Sequence, residues 1–238
     1  MLEIKHLYKA FGKQQVLVDV NATFSKGDVI GIIGPNGCGK TTLIKSILGL
    51  VKPDKGEIYY NNVAVTHQAM YREFIGYMPQ IGRYPESMSI GQLFEMLKEI
   101  RDHDYDTLDE ELIQQFKLDQ MLRKPLGSLS GGTIQKVSAA CAYLFNPEVL
   151  IFDEPTAGLD PVSTELLKEK MEKGSADRIT LITSHILNDL EDLATHILFM
   201  NEQKILFFEK LEHLRSRYSE DKLSKIIAKI MKEQTIYA

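Results

Sequence analysis

Residues 34–42 read "GPNGCGKTT", so Gly34 is followed after four residues by Gly39, Lys40 and Thr41. Glycines at 34, 37 and 39 let the backbone take positive φ and come close to a ligand. A run of N–H groups at a helix start then makes a nest for phosphate oxygens. Lys40 would add a point charge for the outer phosphates, and the Thr41 hydroxyl a ligand for Mg²⁺. Pro35, Asn36, Cys38 and Thr42 complete the stretch. Cys38 is read as a small residue tolerated inside the cradle, with a thiolate favoured by the helix start as the alternative.

A second group of residues matches this chemistry. "VLIFDEP" (149–155) sets Asp153 and Glu154 at the end of an apolar run, where open α/β sheets bind ligands. Asp153 would complete the Mg²⁺ shell, and Glu154 would polarise a water towards the terminal phosphate. Either acid alone could simply cap a helix. A third stretch, "SLSGG" (128–132), exposes Ser130 and bare backbone at another helix start. Capping by Ser130 explains the serine but leaves the double glycine unexplained.

These groups need strands that end and helices that begin beside them. "DVIGIIG" (28–34) is a nearly continuous apolar run suited to a strand buried on both faces. From Lys40, Leu43, Ile44, Ile47, Leu48 and Leu50 recur at helical spacing, and Gly49 with Pro53 marks the end. "LEIKHLYKAF", "QQVLVDVNATF" and "KGEIYYNNVAV" read as strands of a β-rich N-terminal part, and "FIGYMPQ" as a short further strand. Residues 85–125 carry helical periods and form a helical insert. After "SLSGG", Ile134, Val137, Cys141 and Leu144 mark one helix face, closed by Asn146-Pro147. "EVLIFDEP" and "RITLITSH" are two more buried strands with a helix at about 161–173 between them. The tail reads as one or two charged amphipathic helices, and no internal repeat stands out.

With 238 residues the chain is long enough for one large α/β domain with a full core. A formal charge of −5 and no polybasic run argue against a nucleic-acid partner. Cys38 and Cys141 lack metal-ligand spacing and read as reduced thiols. The first residues alternate apolar and polar with no secretory h-region. No apolar run approaches the roughly 20 residues of a membrane helix, so any membrane span is expected in another polypeptide.

"GPNGCGKTT", "LSGGT", "VLIFDEPTAGLD" and "ITSH" stand in the order and spacing of the ATP-binding cassette (ABC) ATPase family, which this chain resembles over about residues 1–215. The resemblance implies a P-loop α/β fold with a mainly parallel core sheet. It also implies an N-terminal antiparallel β subdomain, a helical subdomain at about 85–145, and a helical tail at 216–238. ATP and Mg²⁺ are the implied cofactors and ATP hydrolysis the implied reaction. Two copies would pair head to tail as a homodimer. Ser130, Gly131, Gly132 and Thr133 of one copy would then close over nucleotide held by residues 34–42 of the other.

By the same resemblance Phe11 looks like the residue that stacks on adenine, with Tyr8 a weaker candidate. Gln80 resembles the glutamine that touches Mg²⁺ and water, joining Thr41 and Asp153 as a metal ligand. His185 resembles the switch histidine at the terminal phosphate, and Asp160 the loop that meets its counterpart across the dimer. Glu154, His185, Gln80 and Lys40 form the implied catalytic set. One departure stands out: Thr133 replaces the family's usual glutamine, and Gln135 follows two residues on.

The implied role is the energy-coupling subunit of a transporter, cytoplasmic and held at the inner face of the membrane by a permease partner. "DEPTAGLDP" followed by "SHILNDLEDLATHILFMNEQKI" looks most like ATP-binding subunits of ABC-2-type exporters. The alternative is a soluble ABC ATPase serving assembly or maturation, for example of iron–sulfur clusters. A catalytically dead binding module conflicts with the presence of Glu154, Gln80 and His185 together.

Overall fold

The computed structural model describes residues 1–65, 70–101 and 108–236; residues 102–107 of the expected helical insert and the last two of the tail lie outside the described residues. β1 (Leu2–Phe11) and β2 (Gln14–Phe24) form an antiparallel hairpin. β3 (Val29–Ile33), buried along its whole length, runs through the glycine loop into α1 (Lys40–Ile47). β4 (Lys55–Tyr60) and β5 (Val63–Ala64) join the first hairpin in a sheet of order β2-β1-β4-β5. The segment "KGEIYYNNVAV", expected as one strand, is therefore a hairpin. Asn61 and Asn62 take φ of 48° and 65°, a left-handed pair that asparagine tolerates and that turns the chain back.

β6 (Ile75–Met78) leads towards the helical insert, whose described helices are α2 (Ile90–Arg101) and α3 (Glu111–Gln115). α4 (Gly131–Tyr143) returns the chain to the core strand β7 (Val149–Asp153). α5 (Pro161–Lys173) and β8 (Ile179–Thr183) follow, then α6 (Leu187–Leu193), β9 (His196–Asn201) and β10 (Lys204–Lys210). α7 (Leu211–Tyr218) and α8 (Leu223–Ile236) end the chain.

The second sheet has the order β10-β9-β3-β8-β7-β6, parallel except for β10. This is the α/β P-loop fold, with its mainly parallel sheet, antiparallel N-terminal part and helical insert. Parallel neighbours on both sides of β3, β8 and β7 explain why those strands are apolar at successive positions. Among the described residues no helix is long and apolar enough to cross a membrane.

Among the described residues, two apolar clusters form the interior. One lies between the sheets around α1, with Leu2, Phe24, Ile30, Leu43, Ile44 and Ile151. The other joins the opposite face of the core sheet to the helical insert, and Leu214, Leu223 and Ile226 of the tail helices are buried in it. α4 is buried on more than the one face its apolar period suggests. Val137, Ser138, Ala139, Ala140, Ala142 and Tyr143 are enclosed, while Ile134 and Cys141 are only half-buried. Its small side chains let it pack against β6 on one side and α3 on the other. Leu50, counted with the face of α1, lies beyond the helix end and is 62% exposed.

Candidate functional site

The parallel strands end along one rim, where the loop after β3 faces the acids at the end of β7. An open cleft of about 380 Å³ lies there, lined by Val16, Asn36, Gly37, Gly39, Lys40, Thr41, Thr42, Gln80, Asp153, Glu154 and His185. Five separate segments thus bring together residues that lie up to 169 positions apart in the sequence.

The loop is held tightly from behind and open in front. A Cβ on Gly34 would lie 2.1 Å from the Met200 carbonyl oxygen and 2.9 Å from Cys38 Sγ, at φ of 149°. Only glycine lets β9 press so closely on the loop. At Gly37 the corresponding space is empty. Gly39, the N-cap of α1, takes φ of 109°, and no side chain caps the helix. The first N–H groups of α1 therefore face the cleft without an intrahelical partner. Lys40 Nζ donates to the carbonyls of Gly34 (2.7 Å) and Pro35 (3.1 Å). Cys38 is buried beneath the loop and does not line the cleft.

Opposite the loop, Asp153 is 7% exposed, and its Oδ1 accepts from the Thr183 hydroxyl at 2.6 Å. Burial, and to a lesser degree the Asp153 charge, push the nearby Tyr77 phenol up to about 12. Glu154 follows in the left-handed region, φ 54°, which costs a non-glycine residue about 1–3 kcal/mol unless its surroundings fix it. Its N–H is fixed, donating to both the carbonyl and the hydroxyl of Thr183 at 3.1 Å. Its carboxylate is held at both ends: Gln80 Nε2 donates to Oε2 at 2.9 Å, and His185 Nε2 lies 2.6 Å from Oε1.

The donor set suits a metal–phosphate ligand. A buried carboxylate, a threonine hydroxyl and a glutamine amide oxygen are hard ligands of the kind Mg²⁺ takes, beside uncapped N–H groups for phosphate.

Other expected residues stand elsewhere. Phe11 lies at the end of β1, 53% exposed and outside the cleft lining, with Lys9 Nζ 5.3 Å from its ring centre. Tyr8 lies on the same strand, also outside the lining. Val16 of β2, which carries no chemical group to draw attention in the sequence, lines the cleft instead.

Ser130, Gly131, Gly132 and Thr133 do not line this cleft. Ser130 caps α4: its hydroxyl accepts from Thr133 N–H at 3.3 Å and lies 2.9 Å from the Thr133 hydroxyl. The double glycine gains a partial structural account, since a Cβ on Gly132 would sit 2.7 Å from the Gly158 carbonyl oxygen. Gly131 has nothing within 4 Å. Asp160 caps α5 through Ser163 N–H (3.0 Å) and hydroxyl (2.7 Å), and pairs with Lys136 Nζ at 2.8 Å. The Lys136 ammonium first, then the Ser163 donors, hold its carboxyl well below the usual carboxylate range.

Comparison with known proteins agrees with this geometry. Residues 17–157 match the family model described as ABC transporter. The Bacillus licheniformis bacitracin transport ATP-binding protein BcrA is 33% identical over 221 residues, covering 91% of this chain and 72% of that protein. A solved structure described as an ATP-binding subunit of an ABC transporter superposes with a TM-score of 0.91 at 27% identity, covering 97% of this chain and 99% of that one. The bacterial ABC transporter cassette MJ0796, solved as a dimer, shares the fold, with a TM-score of 0.77 at 24% identity over 88% of this chain and 98% of its own.

Proposed function

The chain belongs to the ABC transporter family as its ATP-binding and ATP-hydrolysing subunit, and from that premise we propose that it works as a homodimer driving export through a separate membrane permease. The observation that carries the site assignment is the grip on Glu154, whose two carboxylate oxygens are engaged by Gln80 and His185.

In this reading residues 34–42 bind the phosphates through uncapped N–H groups, and Lys40 leaves the Gly34 and Pro35 carbonyls to meet them. Thr41, Asp153 and Gln80 would hold Mg²⁺, which when bound supplies charge neutralisation at the phosphates. Glu154 is the base that orients the attacking water and takes its proton. With both oxygens occupied it is at rest; drawing Gln80 or His185 towards the nucleotide frees one for water. His185 then stabilises charge at the terminal phosphate. The products are ADP and phosphate.

Ser130 and the two glycines do not line their own cleft, which supports their serving the cleft of a second copy. Two such half-sites close under two-fold symmetry. Likeness in fold to a cassette solved as a dimer supports the same pairing. Phe11 is proposed to meet the adenine and Asp160 to sit at the dimer seam. The ABC-2 exporter subtype rests on the run from "DEPTAGLDP" to "MNEQKI".

The test is Glu154→Gln, with hydrolysis and mass measured together. Hydrolysis should fall by about 10²–10⁴-fold, and light scattering at saturating ATP should show twice the monomer mass. A monomer that binds ATP but never pairs would refute the two-copy site.

A further inference from the structure

Gln135 lies on α4, outside the cleft, yet touches the apparatus that holds Glu154. It is 7% exposed, and its Nε2 donates to the main-chain carbonyl of Gln80 at 2.6 Å. Gln80 in turn donates its own amide to Glu154. Among the described residues, Gln135 Oε1 is buried without a hydrogen-bond partner. A side chain enclosed for packing alone would more cheaply be apolar, because a buried, half-satisfied amide costs stability.

The surroundings make α4 a fixed reference for that contact. One turn on, the Ser138 hydroxyl lies 2.9 Å from the Tyr84 hydroxyl, so the segment after Gln80 is fastened to α4 a second time. On the neighbouring face Lys136 is paired with Asp160, and Gly132 abuts Gly158, both in the loop that follows Glu154. The helix whose first residues are offered to a second copy is thus tied to both segments flanking the catalytic carboxylate.

We propose that Gln135 is a positioning residue for hydrolysis. By holding the Gln80 carbonyl it sets where the Gln80 side chain stands over Glu154, and so transmits the placement of the α4 start to the carboxylate. This rests on the roles given above to Gln80 and Glu154.

The test is a cycle of Gln135→Met, Gln80→Ala and the double variant. Methionine keeps the volume and removes the donated hydrogen bond. Gln135→Met should lower kcat about ten- to a hundredfold, the cost of a misplaced catalytic group, with ATP affinity unchanged. Because Gln135 acts through the Gln80 side chain, the double variant should be no slower than Gln80→Ala. If both singles are slow and the double multiplies their losses, Gln135 does not act through Gln80 and the proposal fails alone. If Gln80→Ala hydrolyses normally, the reading of the site fails with it.

A second readout avoids hydrolysis. The chain has no tryptophan, and Ile81, beside Gln80, is 66% exposed. In an Ile81→Trp background, adding ATP should shift the emission maximum, and Gln135→Met should abolish that shift. An equal shift in both would overturn the proposal.

Discussion

At Gly39 the chain enters α1 through a left-handed glycine with no side chain over the first N–H groups; at Ser130 it enters α4 through an extended serine whose hydroxyl already takes the Thr133 N–H. The two stretches look alike in sequence, glycines followed by a helix. Their surroundings differ. The first start faces Gln80, Asp153, Glu154 and His185 of its own chain across a cleft. The second faces none of them, and is instead wedged by Gly132 against the loop at Gly158. A helix start with free donors and acids opposite suits a metal–phosphate ligand; one already capped offers only its serine and bare glycines to whatever approaches. The comparison teaches that a glycine can serve packing behind a loop or approach in front of it, and only the neighbours tell which.

Alanine substitutions at three glycines sharpen that contrast. Gly34→Ala should have the largest effect, since its Cβ would meet the Met200 carbonyl at 2.1 Å in a conformation alanine resists. A loss upwards of about 3 kcal/mol is expected from overpacking and backbone strain together. Thermal denaturation measures it, and a midpoint within a degree of the parent would mean that β9 does not press on the loop. Gly132→Ala should cost about 1–3 kcal/mol, because its Cβ would meet the Gly158 carbonyl oxygen at 2.7 Å, a longer approach than at Gly34 and at a backbone angle that alanine accepts. Denaturant titration checks this.

Gly131→Ala should be the mildest to stability, within about 0.5 kcal/mol, since nothing lies within 4 Å. Hydrolysis by the same variant should nevertheless drop sharply, because in the proposed two-copy site the added methyl stands on the surface that closes over the other copy's nucleotide. Normal hydrolysis there would remove Gly131 from the approach surface.

How much of this was legible in the sequence depended on whether the signal was local. α5 spans 161–173 as expected because Asp160 caps it, Pro161 fits its first turn and Gly174 follows it. β3, β7 and β8 announced themselves as apolar runs, since strands buried on both faces have no polar alternation to hide in. The β9–β10 hairpin has no such local mark: its turn uses Glu202 and Gln203 at φ of 45° and 65°, residues that give no turn signal. That hairpin matters to the site, for Met200 on β9 is what confines Gly34. Val16 and Gln135 escaped for a related reason: a valine on a strand and a glutamine on a helix carry no spacing that points to a cleft.

The sequence by itself determined much of the chemistry: a glycine loop with lysine and threonine and two acids at a strand end are recognisable because covalent spacing fixes local geometry, whereas the histidine at another strand end is singled out by resemblance to the ABC family. Only the tertiary structure decided that Gln80 and His185 meet at Glu154 and engage one carboxylate oxygen each. It also decided that Ser130 stands away from its own cleft and that Gln135 reaches the Gln80 carbonyl. Those relations join residues dozens of positions apart, and hydrogen bonds of that reach are set by how strands and helices pack, not by neighbours along the chain.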